Sequence, residues 1–260
     1  MKKKTFNQFF KEYLFVKNFN EPLVDKILKM SKINNMKTKE QQVSLILNII
    51  IITLTIIGSI FCFAEIYIID TKPIEHGIKL FKFFTVQSNV LAGITSFIYV
   101  IYLLRQHKTD KEIPLWVSIL RYMATIDLVI TFLVVALFLG FIVEEGYFSL
   151  YVNANFFYHL AIPVINFISF VFYENKFQLG KKQIALGMTH IMLYAVFYLI
   201  VAFSHFQDGK VSLEYDWYGF AQSGVLGAII SGLVVLGLGY LISFVLYKII
   251  NKSNQSKKSQ

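Results

Sequence analysis

The sequence predicts an all-α polytopic membrane protein with six transmembrane helices, preceded by a cytoplasmic amphipathic helix at its amino terminus. Three observations predict it. The chain is 56% hydrophobic over 260 residues, with a mean hydropathy of +0.57. Only 16% of residues are charged, too few to clothe a soluble domain. The apolar residues also gather into six runs, each near the roughly 20 residues that span a bilayer at about 1.5 Å per residue.

The elements follow in order. Residues 1–42 carry ten lysines and no signal-peptide core with a cleavage site. Phe6, Phe9, Phe10, Tyr13 and Leu14 recur at helical spacing, opposite a lysine-rich face. That pattern predicts a basic amphipathic arm lying on the inner leaflet. Pro22 opens a second short helix with Leu23, Ile27 and Met30 on one side. The six spans are expected at 43–69, 82–104, 116–143, 154–173, 184–203 and 221–247. The tail, 248–260, is rich in Lys, Ser, Gln and Asn and is expected to be disordered.

Lys and Arg set the orientation. The amino-terminal arm, the 105–121 and 174–183 connections and the carboxyl tail hold all but Lys72, Lys79, Lys82 and Lys210 of the 25. Both termini are therefore expected in the cytoplasm, with the protein in the cell membrane. The net charge of +9 reads as topology and anionic lipid, not as a nucleic-acid surface. Cys62 is the single cysteine, so an intramolecular disulfide and a cysteine metal site are excluded.

Polar groups inside spans are candidate functional residues. With this topology Glu65, Thr85, Ser88, Asn89 and His159 share the outer half of the membrane. Thr85, Ser88 and Asn89 lie on one face of one helix, at offsets of three and four. Asp127 and His190 are expected as an inner polar pair, with Arg121 and Tyr122 marking the interface and Asp127 about 8 Å inside it. The outer layer holds the parts of acyl transfer. Thr85 is the candidate nucleophile, His159 its base and Glu65 a possible orienter of His159. Ser88 or Asn89 is a possible oxyanion or substrate-binding group. The competing reading has these hydroxyls and amides bond backbone carbonyls and neighbouring helices. No G-x-S-x-G, H-E-x-x-H, P-loop or G-x-G-x-x-G motif occurs, and no cofactor or metal is expected. Gly224, Ala228 and Gly232, spaced by four, predict close helix packing in the last span.

Four segments resemble a known family. FKFFTVQSNVLAGI (81–94) resembles the F-T-x-Q-S-N-x-L stretch of the Pr-six-Pr family of bacterial integral membrane proteins. LRYMATIDLVITFLVVALFL (120–139) resembles the helix that follows it, and YHLAIPV (158–164) the later H-x-x-x-P signature. DWYGF (216–220) is similar to the aromatic motif before its last helix, without the usual prolines. The resemblance covers most of 44–247. Pr-six-Pr is similar to the androgen-induced membrane proteins, six-span threonine hydrolases of fatty acid esters of hydroxy fatty acids. It therefore implies a Thr85/His159 catalytic pair and a fatty-acyl ester substrate. Two function classes follow as expectations: a lipid-ester hydrolase or acyl transferase, and a non-enzymatic membrane carrier or lipid-binding protein.

Overall fold

A computed structural model describes residues 36, 38–64, 77–139, 141, 146–175, 177–207 and 210–258. The expected arm helices and Glu65 lie outside the described residues. Val43–Gln260 form one compact unit, an all-α bundle.

Among the described residues, six helices are long and apolar enough to cross a membrane. They are α1 (Lys39–Phe63), α2 (Phe84–Thr109), α3 (Leu115–Leu139), α4 (Ala154–Tyr173), α5 (Lys181–Ser204) and α6 (Gly224–Lys258). Short 3₁₀ segments, Gly77–Lys82 and Tyr147–Tyr151, precede α2 and α4. A two-residue hairpin, β1 (Phe206–Gln207) with β2 (Lys210–Val211), follows α5. The protein is a multi-pass membrane protein. Its outward apolar side chains, such as Ile56, Phe97, Leu193 and Leu233, are more than half exposed. That is the surface hydrocarbon requires and water penalises.

Local chemistry sets the helix ends. α2 stops where Asp110 turns left-handed (φ 57°) and its N–H returns to the Gln106 carbonyl. Pro114, with φ near −59°, sits just before α3. α4 departs from α-helical winding in two π turns, Phe157–Ala161 and Ser169–Tyr173. α5 breaks at Met188.

α3 is the central helix. One face packs Tyr122, Ile126 and Ile130 with Phe170 of α4, Ile191 of α5 and Ile242 and Leu246 of α6. The other packs Ala124 and Leu128 with Ile51 of α1, Ala92 of α2 and Tyr158 and Ile162 of α4. Gly187 permits the α5 contact: a Cβ there would stand 2.5 Å from a Tyr122 ring carbon and 2.6 Å from Ile126 Cδ1.

Three expectations change. The tail does not begin at residue 248, because α6 continues to Lys258. Asn251 holds it there, donating to the Leu179 carbonyl and accepting from the Leu179 N–H. In the glycine row of α6, Gly224 and Gly232 face open space and only Ala228 is buried. The close approach falls instead at Gly239, beside Ile191 and Ile130. Lastly, Arg121 and Tyr122, expected as interface markers, are both fully buried among the helices.

Candidate functional site

Two ends of the bundle can be named by their residues: the Thr85 end, where α2 begins, and the Arg105 end, where it finishes. The first N–H groups of any helix lack intrahelical acceptors. At Phe84 the acceptor is the Tyr218 hydroxyl, 2.8 Å away. Tyr218 belongs to the DWYGF segment, which is tied down in turn. Buried Asp216 accepts from the Tyr198 hydroxyl, the Ala221 N–H and the Gln222 amide. The Trp217 indole N–H donates to the Tyr194 hydroxyl, which donates to the Lys82 carbonyl. Burial pushes the Tyr218 phenol above its ordinary pKa. This aromatic knot fixes the first turn of α2, and with it Thr85.

Thr85 is half-buried. Its carbonyl accepts from Ser88 Oγ at 3.0 Å and Asn89 Nδ2 at 2.8 Å. Asn89, fully buried, donates from the same nitrogen to the Tyr158 carbonyl at 3.0 Å. One side-chain amide thus joins the backbone of Thr85 to that of the residue preceding His159. Ser88 also meets Thr131 Oγ1 of α3 at 3.1 Å. Both donors of the Asn89 amide are committed to carbonyls, so Asn89 positions the two segments and is not a free oxyanion donor. Helical Asn and Ser side chains readily bond the carbonyl three or four residues back.

His159 lies in the first π turn of α4, with 8% exposure. Its Nδ1 is 2.7 Å from the Leu150 carbonyl. A carbonyl only accepts, so Nδ1 carries the proton and Nε2 is left as the lone-pair nitrogen. The Leu150 carbonyl of the preceding 3₁₀ turn thus orients His159 at Nδ1; Glu65, the expected orienter, lies outside the described residues. On its other side Tyr158 lies over Gly58, and its hydroxyl meets Ser59 Oγ at 2.8 Å.

Asp127 and His190 come together: His190 Nδ1 is 2.7 Å from Asp127 Oδ2. Asp127 stands at the midpoint of Leu115–Leu139. His190 stacks on Phe84, the residue before Thr85, at 5.5 Å between ring centroids.

The polar layer nearer the Arg105 end is one the sequence reading missed. Arg121 Nε and Nη2 bond Glu174 Oε2 and Oε1 at 2.8 and 3.1 Å, and Nη1 donates to Ser96 Oγ at 2.7 Å. Glu174 Oε1 also accepts from Asn48 Nδ2 at 2.8 Å and Ser169 Oγ at 2.6 Å. Side chains from α1, α2, α3 and α4 thus meet in one knot. A signal was present: Arg121 follows six apolar or small residues after Pro114, and Glu174 ends an apolar run. An arginine and a glutamate at matching depth on adjacent spans are natural partners.

No family model, curated protein or solved structure matches this chain.

Proposed function

We propose that this protein is an intramembrane lipid-ester hydrolase or acyl transferase in which Thr85 is the nucleophile and His159 its general base. The observation that carries the reading is the Asn89 amide, which holds the Thr85 and Tyr158 backbones side by side. His159 adds a fixed tautomer, with Nε2 left to take a hydroxyl proton. π turns within α-helices occur often at functional sites, and His159 lies in one. The motif resemblance of 81–94 and 158–164 supports the same pair.

In this mechanism Thr85 Oγ attacks the ester carbonyl as its proton passes to His159 Nε2. The imidazolium then protonates the leaving alkoxide. Water, or a second acyl acceptor, repeats the sequence in reverse on the acyl-threonine. The substrate class is a fatty-acyl ester drawn sideways from the leaflet at the Thr85 end. That leaflet is the outer one if both termini face the cytoplasm of the cell membrane. The lysine distribution supports this orientation, and removing buried Arg121 from the count leaves the asymmetry intact.

The test is covalent labelling of the purified full-length protein with a fluorophosphonate probe. Labelling is expected for the wild type and is lost in Thr85→Ala and in His159→Ala. Labelling that persists in both variants overturns the mechanism.

The carrier reading keeps one observation of its own, the carboxylate–imidazole pair at mid-span. Ester turnover with defined lipids separates the two readings, since a carrier performs none.

A further inference from the structure

We infer that Asp127 and His190 form a proton-binding site in the middle of the membrane, separate from Thr85 and His159. Asp127 is fully buried at the midpoint of α3. Its Oδ2 meets His190 Nδ1 at 2.7 Å, and its Oδ1 has no hydrogen-bond partner among the described residues. The His190 side chain keeps 20% of its surface exposed, so one partner is sealed in and the other is reachable.

Charge decides what the pair holds. A neutral imidazole donating to a carboxylate leaves one net negative charge in an apolar bundle, which is strongly disfavoured. Among the described residues, the neighbouring elements supply no compensating cation. Arg121, on the same helix, is bound bidentately by Glu174. α6 has no charged residue from Gly224 to Tyr247. From α2 the ring of Phe84 faces His190. The ionisable groups of α4 are His159, held at Leu150, and tyrosines. On α5 the next ionisable group towards the Thr85 end is Tyr194, and its hydroxyl is committed to Lys82. The Lys82 ammonium itself lies over the rings of Phe83 and Trp217.

One added proton makes the pair neutral. It arrives from water at His190 Nε2 and gives an imidazolium facing a carboxylate. The Nδ1 proton shared with Oδ2 can then pass to Asp127, leaving a carboxylic acid beside a neutral ring. Either way the two residues bind a single proton as a unit. A pocket of about 410 Å³ opens at the Thr85 end between Lys82, Phe197 and Trp217. Trp217 contacts Tyr194 and Phe84 covers His190. Three rings in series, Trp217, Tyr194 and Phe84, thus link that pocket to His190.

The experiment measures proton uptake by the full-length protein in weakly buffered nanodiscs after a pH jump. The wild type is expected to take up one proton in a step that Asp127→Asn abolishes and His190→Gln moves to another pH, because the buried carboxylate left behind still takes a proton. The double variant is expected to lose no more than Asp127→Asn. Two separable steps, or a step that survives in both single variants, overturn the site. Should the variants misfold, nitrogen NMR of the wild type with labelled histidine carries the test. The His190 ring nitrogens are expected to shift with the uptake step, and a ring unchanged throughout overturns it. Sodium chloride that releases the proton where choline chloride does not makes the site one for a metal cation, which also overturns the claim. None of these readouts uses ester turnover, so the site stands or falls separately from the Thr85–His159 reading.

Discussion

The Arg121–Glu174 knot and the Thr85–His159 region are both polar, both inside the bundle and both assembled from several helices. They differ in how completely their groups are satisfied. Every nitrogen of the Arg121 guanidinium has a partner, and one Glu174 oxygen accepts three donors. The charged groups of this cluster are saturated, with Asn48 Oδ1 its one buried atom lacking a partner among the described residues, and its work is to lock four helices in register. At the Thr85 end the hydroxyl of Thr85 and Nε2 of His159 have no hydrogen-bond partner among the described residues. Unspent donors and acceptors at a fixed geometry are what chemistry requires. The difference teaches that buried polarity alone does not mark a site, whereas incompletely satisfied polarity on a braced backbone does.

This contrast can be broken at either end. The largest expected effect is on reactivity. His159→Ala removes the general base and is expected to slow probe labelling by about 10²–10⁴-fold. Thermal unfolding in detergent should move far less than for Glu174→Ala. An equal loss of stability and labelling would erase the distinction between the two regions.

Next comes the ion pair. Glu174→Ala strands a buried guanidinium and is expected to cost about 3–5 kcal/mol of stability, read as a lower unfolding midpoint. Replacing both partners, Arg121→Met with Glu174→Leu, is expected to recover most of that loss. Failure of the double variant to recover would mean that the knot is more than a structural lock.

The asparagines give a sharper pair. Asn48→Ala and Asn89→Ala each delete an interhelical amide, and each is expected to cost about 0.6–2 kcal/mol. Only Asn89→Ala should also slow labelling, because only Asn89 bridges the Thr85 and Tyr158 backbones. The comparison is measured by labelling rate against unfolding midpoint for the two variants. Smallest of all is Ser59→Ala, which removes one hydroxyl contact of Tyr158 and is expected to cost under about 1 kcal/mol. A labelling defect there would show that Tyr158 transmits strain to His159.

The two regions were not equally legible in the sequence. Thr85, Ser88 and Asn89 share a helix face by spacing alone, and the motif at 158–164 drew attention to His159. The Leu150 carbonyl behind His159 has no sequence signature, because any residue offers a carbonyl. Tyr218 as the acceptor for Phe84 N–H was hidden likewise, 134 positions away in the chain. Arg121 was misread as an interface marker, since a charge near the end of an apolar run is ambiguous by one or two turns.

By itself the sequence determined that this chain has six apolar helices and which residue types they carry, because burial in hydrocarbon demands about 20 apolar residues per crossing whatever the packing. Helical periodicity also determined which side chains share a face within one helix. Only the tertiary structure decided which faces meet. It brought the expected pair Asp127 and His190 to 2.7 Å, drew Arg121 inward to Glu174, and extended α6 through Asn251. The physical reason is that polar groups in an apolar bundle must find partners, and those partners are set by helix rotation and axial register. Neither quantity is written in any one segment; both follow from how α3 packs against its neighbours on its two faces.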